Sequence, residues 1–250
     1  MIRATLCGIA LLIAVPAIAA EIGAQQTQNE LAAKYNMQLG IAYLKDGEIG
    51  LAREKIEKAL KQNPHDPDVQ TAAGLLYEAM GEMDSADHHY SEALHLDTQN
   101  PDKQNNYGQF LCRRGRYDKG EKLLESAAKS PLYTTPQVAY TNAAVCARTA
   151  GKLDQSEKYL RSALNLSPNY PDALLQLADL SFTRGNMPQA REQLARFFQV
   201  SSRTPDALLL GVRIERAAGD YHAAEDYAET LRKEFPGSAQ ARHLADGTIK

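Results

Sequence analysis

The sequence predicts an all-α protein, a right-handed superhelical solenoid built from six copies of a two-helix repeat with a short C-terminal capping helix. The main observation is a series of six glycines separated by 34, 34, 36, 34 and 34 residues. Each glycine lies between two amphipathic segments of helical length. A tight turn between helices favours glycine because it requires left-handed backbone angles. The six glycines are Gly47, Gly81, Gly115, Gly151, Gly185 and Gly219.

Other residues recur in phase with these glycines. In the first repeat, Gly40 and Ala52 occupy the eighth and twentieth positions, where small side chains let two helices approach closely. Ile56 fills the space beside that crossing, and Pro64 follows the second helix and ends it. A period of 34 residues with this pattern is that of the tetratricopeptide repeat (TPR).

The register of the repeats predicts the domain organisation. Six repeats occupy residues 33–236, preceded by a flexible polar segment at 21–32 and followed by a C-terminal cap or tail at 237–250. Two extra residues fall in the proline-containing stretch 131–136, where we expect a rigid loop. The expected helices are 34–46, 49–62, 68–80, 83–96, 102–114, 117–130, 137–150, 153–166, 171–184, 187–199, 205–218 and 221–234, with a cap near 238–246.

Residues 1–20 have the pattern of a secretory signal peptide. Arg3 supplies a positive start, residues 6–15 are apolar, and Ala17 to Ala19 form an A-x-A site with cleavage after Ala19 or Ala20. The apolar stretch is too short to span a membrane, although an uncleaved anchor is the alternative. We expect a soluble mature chain outside the cytoplasm.

Composition and cysteine content narrow the function classes. The chain has 28 basic and 31 acidic residues, so no basic surface for nucleic acid is expected.

Cys7 lies in the signal, which leaves Cys112 and Cys146 as an even pair in an oxidising compartment. These two lie on the first helices of consecutive repeats, which pack side by side, so their Cα atoms can approach the ~5.5 Å of a disulfide. We expect a structural disulfide; two buried free thiols are the alternative.

One set of motifs is more specific than a generic TPR. It comprises the run from Asn105 to Cys112, the run from Asn142 to Ala147, the run from Gly211 to Arg216, and Phe235-Pro236-Gly237-Ser238. The chain resembles the type IV pilus biogenesis and stability TPR family (PilF/PilW, pilotin-like) over about residues 33–240. The resemblance implies a periplasmic protein associated with the outer membrane that supports assembly of the pilus secretin or stabilises the fibre.

The sequence departs from that family at its signal. Members commonly carry a lipid on a cysteine at the end of the signal, and this chain has no cysteine there. We therefore expect its association with the membrane to be indirect, through a protein partner such as the secretin or another pilus component.

A groove for that partner is predicted on the first helices of the first three repeats. Their fifth, ninth and twelfth positions face the concave side of a TPR array, and an exposed apolar patch there would mark an interaction site for a peptide. Two alternatives are that residues 20–32 fold over the patch or that its side chains belong partly to the core. The predicted groove residues are Met37, Ile41, Leu44, Leu75, Glu78, Asn105 and Gln109.

Signals for chemistry are weak. His88 and His95 lie a heptad apart with His89 beside them, but no zinc-binding motif supports a metal site, and a solvated helix face is the better interpretation. The sequence contains no phosphate loop, dinucleotide fingerprint or nucleophile elbow. We expect a non-enzymatic scaffold with no cofactor and no small-molecule substrate. A general periplasmic adaptor is the second hypothesis, and an enzyme or metal carrier is the third.

Overall fold

The computed structural model describes the backbone of residues 14–245 and the side chains of residues 25–245. Within that range it contains thirteen α-helices and no strand, which confirms the predicted all-α class. The helices are α1 (Ala14–Lys45), α2 (Ile49–Gln62), α3 (Pro67–Ala79), α4 (Met83–Leu96), α5 (Pro101–Arg113), α6 (Tyr117–Lys129), α7 (Pro136–Thr149), α8 (Leu153–Leu166), α9 (Pro171–Thr183), α10 (Met187–Val200), α11 (Pro205–Ala217), α12 (Tyr221–Glu234) and α13 (Ala239–Ala245).

The turn inside each helix pair is made by the predicted glycine. All six adopt φ between +74° and +79°, a region that residues with a Cβ rarely occupy. The first turn shows the bonding: the amide of Gly47 donates to the carbonyl of Leu44 (3.2 Å), and the amide of Glu48 donates to that of Tyr43 (2.9 Å). These bonds satisfy carbonyls that the end of the first helix leaves without partners.

Local sequence also determines where helices begin. Pro67 and Pro205 lie in the first turn, where a missing amide hydrogen costs nothing. Asp66 caps α3 by accepting hydrogen bonds from the amides of Asp68 and Val69. Asn186 caps α10, since its side-chain oxygen accepts a hydrogen bond from the amide of Gln189 at 3.2 Å.

The described residues form two compact units, divided within α5 after Tyr107. In the first unit, α1 pairs with α2 and α3 pairs with α4. Gly74 lies at the crossing of the second pair, where an added Cβ would come within 2.8 Å of the Tyr90 ring. The core of this unit contains a cluster around Ile56 and Leu76 and a smaller one formed by Ala33, Ala59 and Val69.

The second unit begins at Gly108 and contains the pairs α7 with α8, α9 with α10, and α11 with α12. Its core clusters form around Leu160, Leu194 and Leu231. The loop between α6 and α7 is anchored by Tyr133, which is 8% exposed and packs with Ala127 and Ala139.

The N-terminal segment differs from the expectation. Residues 21–32, predicted to be flexible, belong to α1, which begins at Ala14 and not at residue 34. Alanine, glutamine and glutamate dominate this stretch and favour helix. Pairs four residues apart add hydrogen bonds, such as Gln26 with Glu30 at 3.2 Å.

Other terminal predictions fall partly outside the described residues. Most of the predicted signal peptide, residues 1–13 with Cys7, is outside that range, and so are residues 246–250 of the predicted tail. Among residues 14–245 no helix, α1 included, has the length and apolar character needed to span a membrane. The predicted capping helix is α13, whose Ala241 and Leu244 pack against Ala228 and Leu231 of α12.

Candidate protein-binding surfaces

The apolar part of the predicted groove lies in the first unit and is partly exposed. Met37, Ile41 and Leu44 on α1 are half-buried and pack against the cluster around Ile56. Leu75 on α3 is 38% exposed. The stripe therefore contributes to the core and presents its outer atoms to solvent. Because residues 14–32 continue α1 as a helix, they do not fold back over it.

The polar residues predicted for the first unit differ in accessibility. Glu78 on α3 is half-buried and accepts a hydrogen bond from the Tyr90 hydroxyl at 3.0 Å, which holds its carboxylate in place. Asn105 on α5 is only 6% exposed, so it offers little surface to a partner. Nearby, the Lys103 side chain is 5% exposed, and its ammonium pairs with Asp68, whose side chain is 65% exposed.

Gln109 lies in the second unit, where it lines a pocket together with the two cysteines. Cys112 on α5 and Cys146 on α7 have Cα atoms 5.4 Å apart and sulfur atoms at bonding distance. Gly120 on α6 makes room for this arrangement, since an added Cβ would meet the Cys112 Sγ at 2.4 Å. Exposed Arg113 and Val145 form the rim of the pocket.

The structure shows a further candidate surface on α9 and α11, which the sequence analysis did not predict. Leu175, Asp179, Leu209 and Arg213 line a second pocket in this unit. The Arg213 guanidinium stacks on the ring of Phe182 at 4.6 Å, and Asp179 pairs with Arg148 of α7. These residues occupy the same fifth, ninth and twelfth repeat positions that selected the predicted groove. Applying that register to the last three repeats would have found them.

Among the histidines considered as metal ligands, His89 is held by contacts with two side chains of α3. His89 contacts Gln70 through Nδ1 at 2.7 Å and stacks on Tyr77 with ring centroids 5.1 Å apart. Burial, with the neighbouring His88, lowers the pKa of His89 and favours its neutral form. No group of three or more potential metal ligands comes together among the residues that the structure describes.

Paired helices, glycine turns and small residues at the crossings define the class of the molecule: it is a tetratricopeptide-repeat protein. Two family models described as tetratricopeptide repeat match it, at residues 37–101 and 147–197.

Comparison along the chain identifies the family. The chain is 30% identical over 204 residues to the type IV pilus assembly protein PilF of Pseudomonas aeruginosa, covering 82% of this chain and 81% of that protein. It belongs to the PilF/PilW family of TPR proteins.

Two solved structures agree with that assignment. The crystal structure of PilW, described as a widely conserved type IV pilus biogenesis factor, superimposes with a TM-score of 0.76 at 28% identity, covering 85% of this chain and 98% of PilW. The structure of Pseudomonas aeruginosa PilF superimposes with a TM-score of 0.71 at 28% identity, covering 88% of this chain and 99% of that chain.

Proposed function

We propose that this protein is a non-enzymatic scaffold of type IV pilus biogenesis, which binds another protein and supports secretin assembly or stabilises the fibre. The observation that carries the proposal is the similarity to PilF and PilW along more than four-fifths of the chain. A general periplasmic TPR adaptor is the second candidate, favoured by the repeat architecture alone.

The partner binds, on this proposal, to the apolar stripe of the first unit. Partly exposed leucine, isoleucine and methionine side chains on adjacent helices suit the apolar face of a peptide, and the carboxylate of Glu78 lies on the same face. Ile41 is a poor position for a test because it packs on the core, so Ile41→Asp would also lower stability. Leu75 is the better position because more than a third of it is exposed and it is not part of that core cluster.

The experiment is a capture assay with outer-membrane extract, using the naturally processed protein as bait and identifying captured proteins by mass spectrometry. We expect recovery of the secretin or another pilus component, with loss of that protein in Leu75→Asp. The matched control is Leu51→Asp on the second helix α2, where the leucine is 43% exposed. Equal capture by both variants would contradict the groove, and capture of unrelated envelope proteins alone would favour the general adaptor.

We also propose that the chain is exported to the periplasm, associates indirectly with the outer membrane, and carries the Cys112–Cys146 disulfide there. The signal pattern of residues 1–20 and the 5.4 Å separation of the two Cα atoms support this. N-terminal sequencing of protein from the periplasm should give Ala20 or Glu21 as the first residue. An intact N-terminus on membrane-bound protein would favour the uncleaved anchor.

A further inference from the structure

Helix α1 carries a second apolar stripe, formed by Leu31, Tyr35 and Leu39. These side chains are 55%, 68% and 48% exposed, and their spacing of four residues aligns them along the helix. At 100° per residue, the stripe is centred ~140° around α1 from Met37 and Ile41. It is therefore separate from the groove proposed above, and tests of the two surfaces can fail independently.

The other repeats show why this stripe is unusual. Tyr35 occupies the third position of its repeat, and the residues at the third position of the following repeats are 0–5% exposed. They are buried by the second helix of the preceding repeat: Val69 packs on Ala59, Ala139 on Ala127, and Ala173 lies in the cluster of Ala163. The described residues supply no such helix for α1, so the face that every later repeat covers is left open with larger apolar side chains on it.

The C-terminal repeat differs because its last helix is covered by another helix. Its second helix α12 is covered by α13, which buries Leu231 and Ala228 under Ala241 and Leu244. A further copy therefore does not find an open α12 on which to place its α1, and head-to-tail stacking is blocked. A face open at α1 alone is suited to pairing with the same face of a second copy.

We propose that this stripe is the interface of a homodimer, in which α1 packs antiparallel against α1 of a second copy around a two-fold axis at Tyr35. The stripe is symmetric about Tyr35, so the axis brings Leu31 against Leu39 of the partner subunit. Glu30 and Lys34, the charged residues between residues 27 and 42, lie ~140° and ~100° around α1 from Tyr35, so both are outside the stripe. Exposed, uncharged Gln28, Gln38 and Ala42 border the stripe.

The size of the contact indicates the strength of the dimer. One helix packed on another over a few turns buries on the order of 1,000 Å² in total, the lower limit for a specific interface. We therefore expect a reversible dimer that dissociates on dilution in the micromolar range.

The test is sedimentation velocity of the naturally processed protein over a concentration series from low micromolar to several hundred micromolar. We expect a concentration-dependent dimer, and a monomer at every concentration for Tyr35→Glu, which places two carboxylates at the axis. The matched control is Tyr221→Glu on α12, since Tyr221 is 73% exposed and should leave the dimer unchanged. Circular dichroism should show equal helicity for all three proteins.

Cross-linking provides an independent measurement. In the same geometry, Tyr35→Cys should form an intermolecular disulfide on mild oxidation, and Tyr221→Cys should not. A monomer across the series, or a dimer that survives Tyr35→Glu, would overturn the proposal. A monomer that loses a captured envelope protein on Tyr35→Glu would also overturn it and assign the stripe to a different partner.

Discussion

At the scale of the residue, the close packing of α5 against α6 depends on the missing Cβ of Gly120. Gly120 occupies the twentieth repeat position, where other repeats hold a residue with a Cβ, such as Ala52. A Cβ at residue 120 would lie 2.4 Å from the Cys112 Sγ and 2.7 Å from the Gly108 carbonyl oxygen. The sulfur thus occupies the space that a methyl group fills elsewhere.

We expect Gly120→Ala to lower the free energy of unfolding by ~1–3 kcal/mol, because the core has no room for the added methyl. Urea denaturation followed by circular dichroism measures this change. The control is Gly50→Ala in α2, where nothing lies within 4 Å of the added Cβ and alanine should be neutral or stabilise the helix. Equal destabilisation by both changes would show that steric crowding is not the cause.

His89 should make stability depend on pH. Its pKa is lowered in the folded state, mainly by burial and further by His88, so the unfolded state binds the proton more tightly. The stabilisation is fully present above the ordinary histidine pKa of 6.5 and is lost as pH falls below it towards the folded pKa. We expect His89→Gln to reduce this loss of stability, measured by urea unfolding at pH 7.5 and at pH 5. The exposed His65→Gln is the control, and an unchanged pH profile in His89→Gln would contradict the expectation.

At the scale of elements, α5 and α7 meet at the cysteine pair, where the Cα atoms of Cys112 and Cys146 are 5.4 Å apart. If oxidised, the pair closes a 34-residue separation and should contribute roughly 3–4 kcal/mol in the chain-entropy model. We expect urea denaturation of the double variant with Cys112→Ser and Cys146→Ser to give a free energy of unfolding lower by that amount. Added reductant should lower the free energy of unfolding of the wild type only. Mass spectrometry of alkylated protein checks the oxidation state, and two alkylated thiols in protein from the periplasm would establish the free-thiol alternative.

At the scale of the molecule, a repeat array must cover the apolar faces of its terminal helices. Helix α13 does this for α12, and Leu244 is 8% exposed in that position. A chain ending at Ser238 should lose at least ~2 kcal/mol of stability from the Leu244 contact and expose Leu231. Differential scanning calorimetry and light scattering measure the loss and any aggregation. A chain ending at Ala245 keeps α13 and serves as the control; equal melting of the two chains would show that α13 does not act as a cap.

Local rules were enough to predict most of the fold. The turn glycines agree with expectation, and the helix boundaries from α2 to α12 agree within about a residue. Both follow because glycine angles, proline positions and 3.6-residue periodicity act over a few neighbours. The start of α1 was wrong because a polar, helix-favouring segment carries no strong boundary signal. The candidate site stays a prediction: the register selected apolar side chains on α1 and α3 that are partly exposed, but Asn105 is buried and the α9 and α11 surface was overlooked.

The sequence by itself determined the repeat, the register and the family, since each depends on residue types at fixed spacing. Only the tertiary structure decided which side chains at equivalent positions are covered. Val69 and Tyr35 occupy the same repeat position, yet one is buried by a preceding helix and the other is 68% exposed. Burial is a property of two packed elements, so it depends on the neighbour that is present in space and cannot be derived from the periodicity of one helix.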